Sequence, residues 1–499
     1  MSAMPSPARR ALSHAVFAGF FALAAGAAGC TTTVDDVADF DSGADLGVDG
    51  GTVDAGPPLA PWPHTLPASE TLGTVRGLRV MRAIIHSHSP LSHDACDGAG
   101  FADGVLLDVS CLDHMHDAVC ALNVDVLNLT DHAEHIFEVT HEEEFWERPG
   151  DTEVRTPDGD LAAVNWACGD GRSVIVTVGT ENALMPIGLL RHPTTSTDPA
   201  VIAEAYRADG PAAVQAFHDA GGLVMVPHTE SRDLEYLRTL GMDGMEIYNI
   251  HANMDPDIRF DFLGLGRLDY VSTVLSFLGI TSRLEPDLAF LGFFSENQND
   301  LDKWDALLAS GVEVTGINGC DAHENTFPQL MKDGERVDSY RRLMRWATVH
   351  LRVPERSLAA QQAALVAGRA YVAFEVFGTP VGFDFYAQDP GSATYEMGAH
   401  APVGATLHVV RPTMSADVPD GALALVSMRI VRSTATGAVE VAQGTGETLD
   451  FVPTEPGAYR AEVRIVPEHA RPYLSRLADT LIKDYVWVYA NPVYFDVAP

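Results

Sequence analysis

The sequence predicts an α/β domain followed by a smaller all-β domain, and three observations support this class. Short apolar, β-branched segments alternate with helical segments from about Gly73 to Val372. From about Ala373 onward, short alternating strands separated by turn residues dominate instead. The chain has 499 residues, which is too long for one ordinary core, so two domains are expected.

The N-terminal residues 1–30 have the pattern of a targeting segment. Arg9 and Arg10 precede an apolar stretch from Ala15 to Ala28, which is short for a spanning helix and fits a secretory signal. Small residues stand directly before Cys30, and this ending resembles a bacterial lipobox. The resemblance implies cleavage before Cys30 and lipidation of its thiol. The alternative is an ordinary signal peptide with a chance cysteine.

Residues 31–72 are predicted to be an acidic flexible tether. The stretch from Thr31 to about Pro63 is rich in Asp, Gly, Ala and Thr, and such a composition cannot bury a core. We therefore expect an exported, membrane-anchored lipoprotein, periplasmic or at the cell surface. It would contact a membrane only through the lipid anchor at Cys30.

The charge balance limits the partners. The formal net charge is −37, which argues against nucleic acid or an anionic membrane surface as the main partner. An anionic substrate stays compatible with this charge, because bound cations can reverse the local field of a site. The expected partner is a small-molecule substrate.

Five cysteines follow Cys30, and an exported protein can pair some of them. Four of them lie in loop-rich stretches and are the better disulfide candidates, namely Cys96, Cys111, Cys120 and Cys168. Their connectivity cannot be deduced from the sequence. Cys320 lies inside a motif of polar residues and is expected to be a small buried residue.

Five apolar segments of the first domain are typical of buried strands in a parallel sheet. They are residues 80–85, 124–129, 173–178, 223–226 and 312–317. Histidines and acidic residues follow them, namely His86, His88, Asp131, His132, Glu181, His228, Asp321 and His323. Because the C-terminal ends of barrel strands converge on one rim, these side chains are expected to lie together there.

Helical segments separate these strands. Residues 200–206 and 212–217 lead into the strand before His228, and residues 301–308 precede the strand before Asp321. Residues 358–367 are a further predicted helix, which Gly368 ends in the usual C-terminal position. The alternation predicts either an α/β barrel or a layered α/β fold.

Residues 373–499 are predicted to form a small antiparallel sandwich of immunoglobulin-like kind. Its alternating segments are residues 382–386, 406–410, 428–431, 460–465 and 485–489. Turn signals such as Pro419-Asp420-Gly421 separate them. Few histidines cluster in this part, so we expect the chemistry in residues 73–372.

The residue types at the strand ends are those of a metal site. Imidazoles and carboxylates are ligands that borderline divalent metals prefer. His86 and His88 are two apart after a strand, so both can face one ion, and the carboxylate of Glu181 can bridge two ions. A Gly-x-Ser-x-Gly motif is absent from the sequence, which counts against a serine nucleophile on a strand-to-helix turn.

Six motifs in residues 73–372 resemble, in order and spacing, those of the PHP (polymerase and histidinol phosphatase) metallohydrolase superfamily. They are His86-Ser87-His88, Thr130-Asp131-His132, Gly179-Thr180-Glu181, Val226-Pro227-His228, Gly244 to Asn249, and Gly319 to His323. The segment Tyr489 to Tyr494 resembles the CehA/McbA-like branch, which joins a PHP domain to a β-rich tail. The resemblance implies a distorted (β/α)7 barrel with two or three divalent transition metals, which would be zinc, manganese or iron.

The resemblance also implies which residues hold the metals. The first metal would take His86, His88, Glu181 and Asp321; the second would share Glu181 and add His228 and His192; the third would take Asp94, His132 and His323. His93 is the alternative to Asp94. Asp131 is expected to orient the surroundings of His132, and Glu246 and Asn249 are expected to form a buried hydrogen-bonded pair.

These expectations combine into an exported metal-dependent hydrolase. A metal-bridged hydroxide would be the nucleophile, with Asp321 and Glu181 as the central ligands. Arg191 would stabilise developing negative charge, and His93 or His251 would carry protons. The cleaved bond would be a phosphoester, as the superfamily implies, or a carbamate, amide or ester bond, as the branch implies. The alternative hypothesis is a non-catalytic surface binding lipoprotein with a structural metal cluster.

Overall fold

The computed structural model describes residues 59–279 and 282–496. The predicted signal peptide, the lipidation residue Cys30 and the predicted tether up to residue 58 lie outside the described residues. The last part of the predicted tether differs from the expectation. One compact unit begins at Pro61, and the buried indole of Trp62 packs against the rings of His469 and Tyr473.

The helices are short, and those predicted from the sequence are confirmed within one to three residues at their ends. The α-helices are Val109–Ala121, Pro199–Tyr206, Pro211–Asp219, Leu234–Leu240, Ile250–Met254, Pro256–Asp261, Val271–Leu275, Gln298–Ala309, Tyr340–Trp346, Leu358–Val366, Arg471–Leu474 and Ala478–Leu481. Short 3-10 turns lie at Ser69–Leu72, Cys96–Gly98, Ile136–Glu138, Glu143–Phe145, Thr229–Ser231, Pro286–Gly292, Glu375–Phe377, Gly421–Leu423, Glu468–Ala470 and Ser475–Leu477. None of the helices in the described part of the chain is long and apolar enough to cross a membrane.

The strands of the first part carry the predicted apolar segments. They are β1 (Thr74–Val75), β2 (Leu78–Ile84), β3 (Phe101–Ala102), β4 (Val105–Leu106), β5 (Val126–Leu129), β6 (Thr152–Arg155), β7 (Leu161–Ala167), β8 (Ser173–Val178), β9 (Met185–Ile187), β10 (Leu223–Val226), β11 (Gly244–Asn249), β12 (Thr315–Gly319), β13 (Thr348–Val353) and β14 (Ala370–Ala373). β8 and β10 have the predicted bounds, whereas β12 begins three residues later than predicted.

The strands of the last part are β15 (Pro380–Val381), β16 (Asp384–Gln388), β17 (Thr394–Glu396), β18 (His400–Pro402), β19 (Thr406–Val410), β20 (Thr413–Met414), β21 (Leu425–Thr434), β22 (Gly437–Gly444), β23 (Thr448–Phe451), β24 (Gly457–Val466), β25 (Tyr485–Ala490) and β26 (Val493–Asp496). All five predicted segments of this part overlap strands, and the segment 382–386 begins two residues before β16. The mixed α/β class is therefore confirmed.

Two sheets surround the strand ends that carry the polar motifs. In the larger sheet β2, β5 and β8 are parallel neighbours, and β13 pairs antiparallel with β2. In the smaller sheet β10, β11 and β12 are parallel neighbours, and β9 pairs antiparallel with β10. The predicted parallel arrangement is thus confirmed within each sheet.

Backbone hydrogen bonds join the two sheets at both sides. Beyond β2 and β12, Ser87 forms a parallel bridge with Ala322, and the amide of His88 donates to the carbonyl of Ala322 at 3.0 Å. Beyond β8 and β9, the amide of Leu189 donates to the carbonyl of Val178 at 2.9 Å. The strand ends are consequently held in one continuous backbone network.

The interior between these sheets is filled by apolar side chains from many strands. One contiguous core cluster joins Met81, Val126, Ile175, Met185, Met225 and Ile317, which come from β2, β5, β8, β9, β10 and β12. Each of these side chains is buried. The burial of apolar surface in this core fixes the strands and therefore the positions of the loops that follow them.

The sheet continues across the boundary predicted near residue 372. β14 pairs antiparallel with β25, so the larger sheet extends through β25, β24, β26 and β18. A separate four-stranded sheet contains β17, β16, β19 and β23. Every residue of β25 is buried. Its apolar sequence is suited to this position inside the shared sheet.

Two disulfides form among the four predicted candidates. Cys96 pairs with Cys111, and Cys120 pairs with Cys168. Cys320 is a buried free cysteine, as predicted. The two bridges are attached near opposite ends of the helix Val109–Ala121.

Candidate metal centre

The polar motifs lie on the loops that immediately follow the parallel strands. His228 is the second residue after β10, and Asp321 is the second residue after β12. Both adopt left-handed backbone conformations, with φ of 50° for His228 and 47° for Asp321. Such conformations are costly for residues other than glycine and occur where surrounding structure enforces them. The sharp turns aim both side chains at a common point beyond the strand ends.

Four side chains form what we call the first cluster, namely His86, Glu181, His228 and Asp321. One ligand atom from each lies within 4.8 Å of the others. His86 Nε2 lies 3.1 Å from Asp321 Oδ1, and His228 Nε2 lies 3.3 Å from Glu181 Oε1. These spacings are close to the distance of about 3.4 Å between ligand atoms of a tetrahedral ion with bonds of about 2.0–2.1 Å.

Four further side chains form the second cluster, namely His88, Asp94, His132 and His323. Their ligand atoms also lie within 4.8 Å of one another. Asp94 is central, because its Oδ2 lies 3.6 Å from His132 Nε2 and its Oδ1 lies 3.5 Å from His323 Nε2. The ring of His88 stacks on that of His323, with centroids 3.8 Å apart.

The two clusters adjoin each other through His88 and Glu181. His88 Nε2 lies 3.0 Å from His86 Nε2 and 3.3 Å from Asp321 Oδ1. Glu181 Oε2 lies 3.3 Å from the imidazole Nδ1 of His132. The structure thus brings together eight of the nine predicted metal ligands, with His88 shared between the predicted first site and the second cluster.

Outer hydrogen bonds orient the imidazoles. Nδ1 of His86 lies 2.6 Å from Glu246 Oε1, and Nδ1 of His88 lies 2.8 Å from Ser92 Oγ. Nδ1 of His132 lies 2.9 Å from the carbonyl oxygen of Glu181, and Nδ1 of His323 lies 2.9 Å from the carbonyl oxygen of Asp321. A nitrogen that donates to such a partner leaves the other ring nitrogen, Nε2, free as a metal ligand. In each of these rings Nε2 faces the clusters.

Glu246 contacts the ring of His86, and Gly319 leaves room for the Glu246 carboxylate. Asn249 Nδ2 donates to Glu246 Oε2 at 2.9 Å, so the predicted buried pair is confirmed, and Glu246 additionally accepts from His86. A Cβ atom at Gly319 would lie 2.0 Å from Glu246 Oε1. Only glycine at position 319 therefore leaves room for the carboxylate that orients His86.

The electrostatic environment keeps the central carboxylates ionised. Burial alone would favour the neutral acids, but the neighbouring imidazoles, His86 first among them, hold the pKa of Glu181 and of Asp321 well below the usual range. Burial, and after it the nearby imidazole of His323, lowers the pKa of His88 to about 3. Against the effect of burial, Glu181 and Asp94 raise the pKa of His132 to about 10.

Several atoms of the clusters lack a protein partner. Asp94 Oδ1, Asp321 Oδ1 and His323 Nε2 are buried and have no hydrogen-bond partner within the described residues. Over the same residues, no lysine or arginine forms an ion pair with Asp94, Glu181 or Asp321. Buried ionised carboxylates require compensating positive charge. The donor set of imidazole nitrogens and carboxylate oxygens fits divalent transition metals.

Two histidines stand at the open side of the clusters. His251 Nδ1 lies 3.1 Å from Asp321 Oδ2, and its side chain is 35% exposed. His93 is about half exposed, and its Nδ1 lies 3.4 Å from Glu134 Oε2. The sequence offered His93 or His251 as candidate proton carriers, with a bystander as the alternative for each, and it did not indicate the direct contact of His251 with Asp321. The position of His251, just after β11, was the signal that could have found it.

Two predicted residues, Arg191 and His192, are placed differently from the expectation. The side chain of Arg191 is 57% exposed and contacts the carbonyl of Asp219, so it points away from the clusters. His192 is grouped with His141 and Glu144 instead of with Glu181 and His228. Asp131 accepts hydrogen bonds from Ser89 at 2.6 and 2.7 Å, and these support the loop before the second cluster.

Cys320 does not supply a thiolate to the centre. Burial raises the pKa of its thiol to about 12. The thiol donates to the carbonyl of His86, with a distance of 2.9 Å between Sγ and the oxygen. Cys320 therefore packs as a small buried residue beneath the loops.

No family model and no curated protein matches this chain. Among solved structures, it is similar to a two-domain protein from Bacteroides vulgatus ATCC 8482 that contains a predicted PHP-like metal-dependent phosphoesterase. That similarity has 14% identity and a TM-score of 0.31, over 80% of this chain and 92% of that chain. PsfC from Pseudomonas syringae PB-5123 is 14% identical with a TM-score of 0.28, over 55% of this chain and 83% of that chain.

Proposed function

We propose that the chain is a metal-dependent hydrolase whose centre is formed by the first and second clusters. The observation that carries this proposal is a set of buried carboxylates and Nε2 atoms at ligand spacing, with no lysine or arginine paired to those carboxylates in the described part of the chain. Divalent cations bound there supply an activated water and an electrophile for the substrate oxygen. One sheet contains β2, β5 and β8 and the other contains β9 to β12, and backbone hydrogen bonds join the two beyond β2 and β12 and beyond β8 and β9. This arrangement supports a distorted barrel of PHP type.

The residues divide into three roles. The two clusters would hold the cations, and Glu246 and Ser92 orient the rings of His86 and His88. His251 and His93 are the histidines near the opening that can exchange protons with substrate or product. Because His251 also faces Asp321, its imidazole either binds a cation or moves a proton.

The substrate is proposed to carry little negative charge. A phosphate monoester would need cationic side chains for its free oxygens, and the predicted clamp Arg191 points away from the centre. An ester, amide, carbamate or singly charged phosphodiester needs fewer such groups. We therefore favour these bonds over phosphate monoesters as the cleaved bond.

The disulfides support export, which we propose together with the lipid anchor at Cys30. Structural disulfides persist in oxidising compartments and are rare in a reducing cytoplasm. The chain has two of them, and Cys96 of the first lies two residues after Asp94. The proposed location is the periplasm or the cell surface.

Metal content and hydrolysis measured on the same preparation test the function. The chain from Pro61 onward, where the compact unit begins, is loaded with zinc or manganese and assayed on p-nitrophenyl carboxyl esters, aryl carbamates, anilides, a phosphodiester and a phosphate monoester. We expect at least two metals per chain and turnover of one of the first four classes. Asp321→Ala should reduce turnover at least about a hundredfold while the circular dichroism spectrum stays unchanged.

Asp170→Asn is the matched control, because Asp170 is an exposed carboxylate paired with Arg172 on the surface. It should keep both metal content and turnover. Tightly bound metals without hydrolysis of any probe would favour the binding lipoprotein instead. Undiminished turnover in Asp321→Ala would overturn the assignment of the centre.

A further inference from the structure

A group of ligating side chains lies outside the proposed hydrolytic centre. This third cluster comprises His141, Glu144 and His192, and one ligand atom from each lies within 4.8 Å of the other two. His141 and Glu144 lie around the 3-10 turn Glu143–Phe145, whereas His192 lies in the segment after β9. Folding therefore brings two loops that are distant in sequence to one point.

Hydrogen bonding fixes which nitrogen of His141 is free. Its Nε2 lies 3.2 Å from the carbonyl oxygen of Leu189. A carbonyl oxygen only accepts, so Nε2 carries the proton. In the neutral imidazole Nδ1 is then an acceptor, and it faces Glu144 Oε1 at 3.6 Å. Two acceptors thus point at each other across a gap.

Both of these acceptors are buried and unsatisfied. His141 Nδ1 and Glu144 Oε1 have no hydrogen-bond partner in residues 59–279 and 282–496. The side chain of Glu144 is 3% exposed, and no lysine or arginine pairs with it within those residues. An unpaired buried acceptor costs about 1–3 kcal/mol. A cation between the two atoms would remove that cost for both.

His192 completes the arrangement from the other loop. Its Nδ1 lies 2.9 Å from the hydroxyl of Tyr206, a fully buried residue at the end of the helix Pro199–Tyr206. This contact leaves Nε2 as the nitrogen available to an ion. His192 is only partly buried, so the cluster is accessible from solvent.

We propose that the third cluster binds one transition-metal ion of the zinc class, separate from the hydrolytic centre. Two imidazoles and one carboxylate are suitable ligands for such an ion, with water in the fourth position. The 3.6 Å between His141 Nδ1 and Glu144 Oε1 is close to the spacing of about 3.4 Å in a tetrahedral site. No residue of this cluster belongs to the first or second cluster.

The ion has a structural role. The turn that carries Glu144 continues to Trp146, whose Nε1 donates to Ser89 Oγ at 2.8 Å. Ser89 Oγ in turn donates to Asp131 at 2.7 Å, next to His132 of the second cluster. An ion at Glu144 fixes this turn against the segment after β9 and so stabilises one wall of the hydrolytic centre.

Zinc content per chain tests the site. The full chain, its Glu144→Gln variant and its His192→Ala variant are equilibrated with zinc, desalted and analysed by mass spectrometry of the metal. Each variant should hold one zinc fewer than the wild type and should melt at a lower temperature. His408→Ala is the control, since His408 pairs with Asp450 far along the chain and should leave the zinc content unchanged.

A double variant separates this site from the hydrolytic centre. Asp321→Ala with Glu144→Gln should lose the sum of the two single losses, because the clusters share no ligand. Wild-type zinc content in both single variants would overturn the proposal and assign His141 and Glu144 to a simple ion pair. If the variants fold poorly, crystals of the wild type grown with zinc decide by the presence or absence of an anomalous peak between His141, Glu144 and His192.

Discussion

Two of the buried regions that contain carboxylates differ in what faces those carboxylates. In the first cluster, Asp321 and Glu181 face imidazole rings at 3.1–3.6 Å. In the second region, Asp287 accepts from Arg341 at 2.7 and 2.9 Å and from Arg342 at 3.2 Å. The carboxylates of both regions are buried, yet only the second region supplies its own permanent positive charge.

The difference separates a structural ion pair from a binding site. Guanidinium groups are always charged and bind carboxylates in fixed geometry, so the Asp287 region is complete in the folded chain alone. Imidazoles are neutral near pH 7 unless a partner raises their pKa, so the first cluster is completed either by protons or by a cation from solution. Measurements that remove a carboxylate, a metal or a proton distinguish the two regions.

The largest expected effect on stability is that of Asp287→Asn. This change removes the buried carboxylate shared by Arg341, Arg342 and Arg345. Glu335 and Asp333 remain beside the first two, but Arg345 is left with no ion-pair partner in the described residues. Breaking a buried pair in this way costs about 3–5 kcal/mol. Urea unfolding should show that loss, while the metal content per chain stays at the wild-type value. The exposed pair offers the comparison, because Asp170→Asn should leave the unfolding midpoint nearly unchanged. A midpoint for Asp287→Asn equal to that of the wild type would contradict the distinction.

A smaller effect is expected from chelation of the metals. A ligand that binds only the folded chain adds about 2.7 kcal/mol at a free concentration one hundred times its Kd. Dipicolinate treatment should therefore lower the melting temperature of the wild type, and added zinc should restore it. In Asp321→Ala the shift should be smaller, since one central ligand is missing. Equal melting temperatures before and after complete metal removal would refute a cation-dependent centre.

The smallest expected effect is on the loss of stability as the pH falls. Although burial opposes it, Arg341 and its neighbours hold the pKa of Asp287 well below its usual range. The folded chain then binds fewer protons at this group than the unfolded chain, so the stabilisation is complete above the unfolded pKa of about 3.9 and is lost as pH falls further. Urea midpoints between pH 3 and 7 should fall less steeply for Asp287→Asn than for the wild type. Parallel slopes would show that Asp287 does not carry this pH dependence.

The elements that follow from local patterns could be predicted. β8 and β10 are short apolar, β-branched segments bounded by glycine or proline, and the structure has them at the predicted residues. The helix Leu358–Val366 ends before Gly368, which has a positive φ of 66° as the C-terminal position requires. Predicted ligands that closely follow a strand, such as His86, have positions fixed by that strand and therefore lie where the sequence predicted them.

The parts that depend on distant contacts could not be predicted. His192 lies in an irregular segment after β9, and its direction is set by Tyr206 from a helix further along the chain. Arg191 has a long side chain, and its guanidinium donates a hydrogen bond to the carbonyl of Asp219 at the surface. The pairing of β14 with β25 joins residues more than a hundred positions apart, and no local pattern specifies such a partner.

The disulfides at the two ends of the helix Val109–Ala121 affect how the metals should be counted. Cys96 is bonded to Cys111 and lies two residues from the proposed ligand Asp94. A chain produced in a reducing expression host would have four free thiols there and in the Cys120–Cys168 pair. Thiolates bind zinc avidly, so such a preparation would gain adventitious zinc while the Asp94 loop lost its covalent anchor. Stoichiometry is meaningful only for oxidised protein, in which a thiol titration finds Cys320 alone among the cysteines of the described chain.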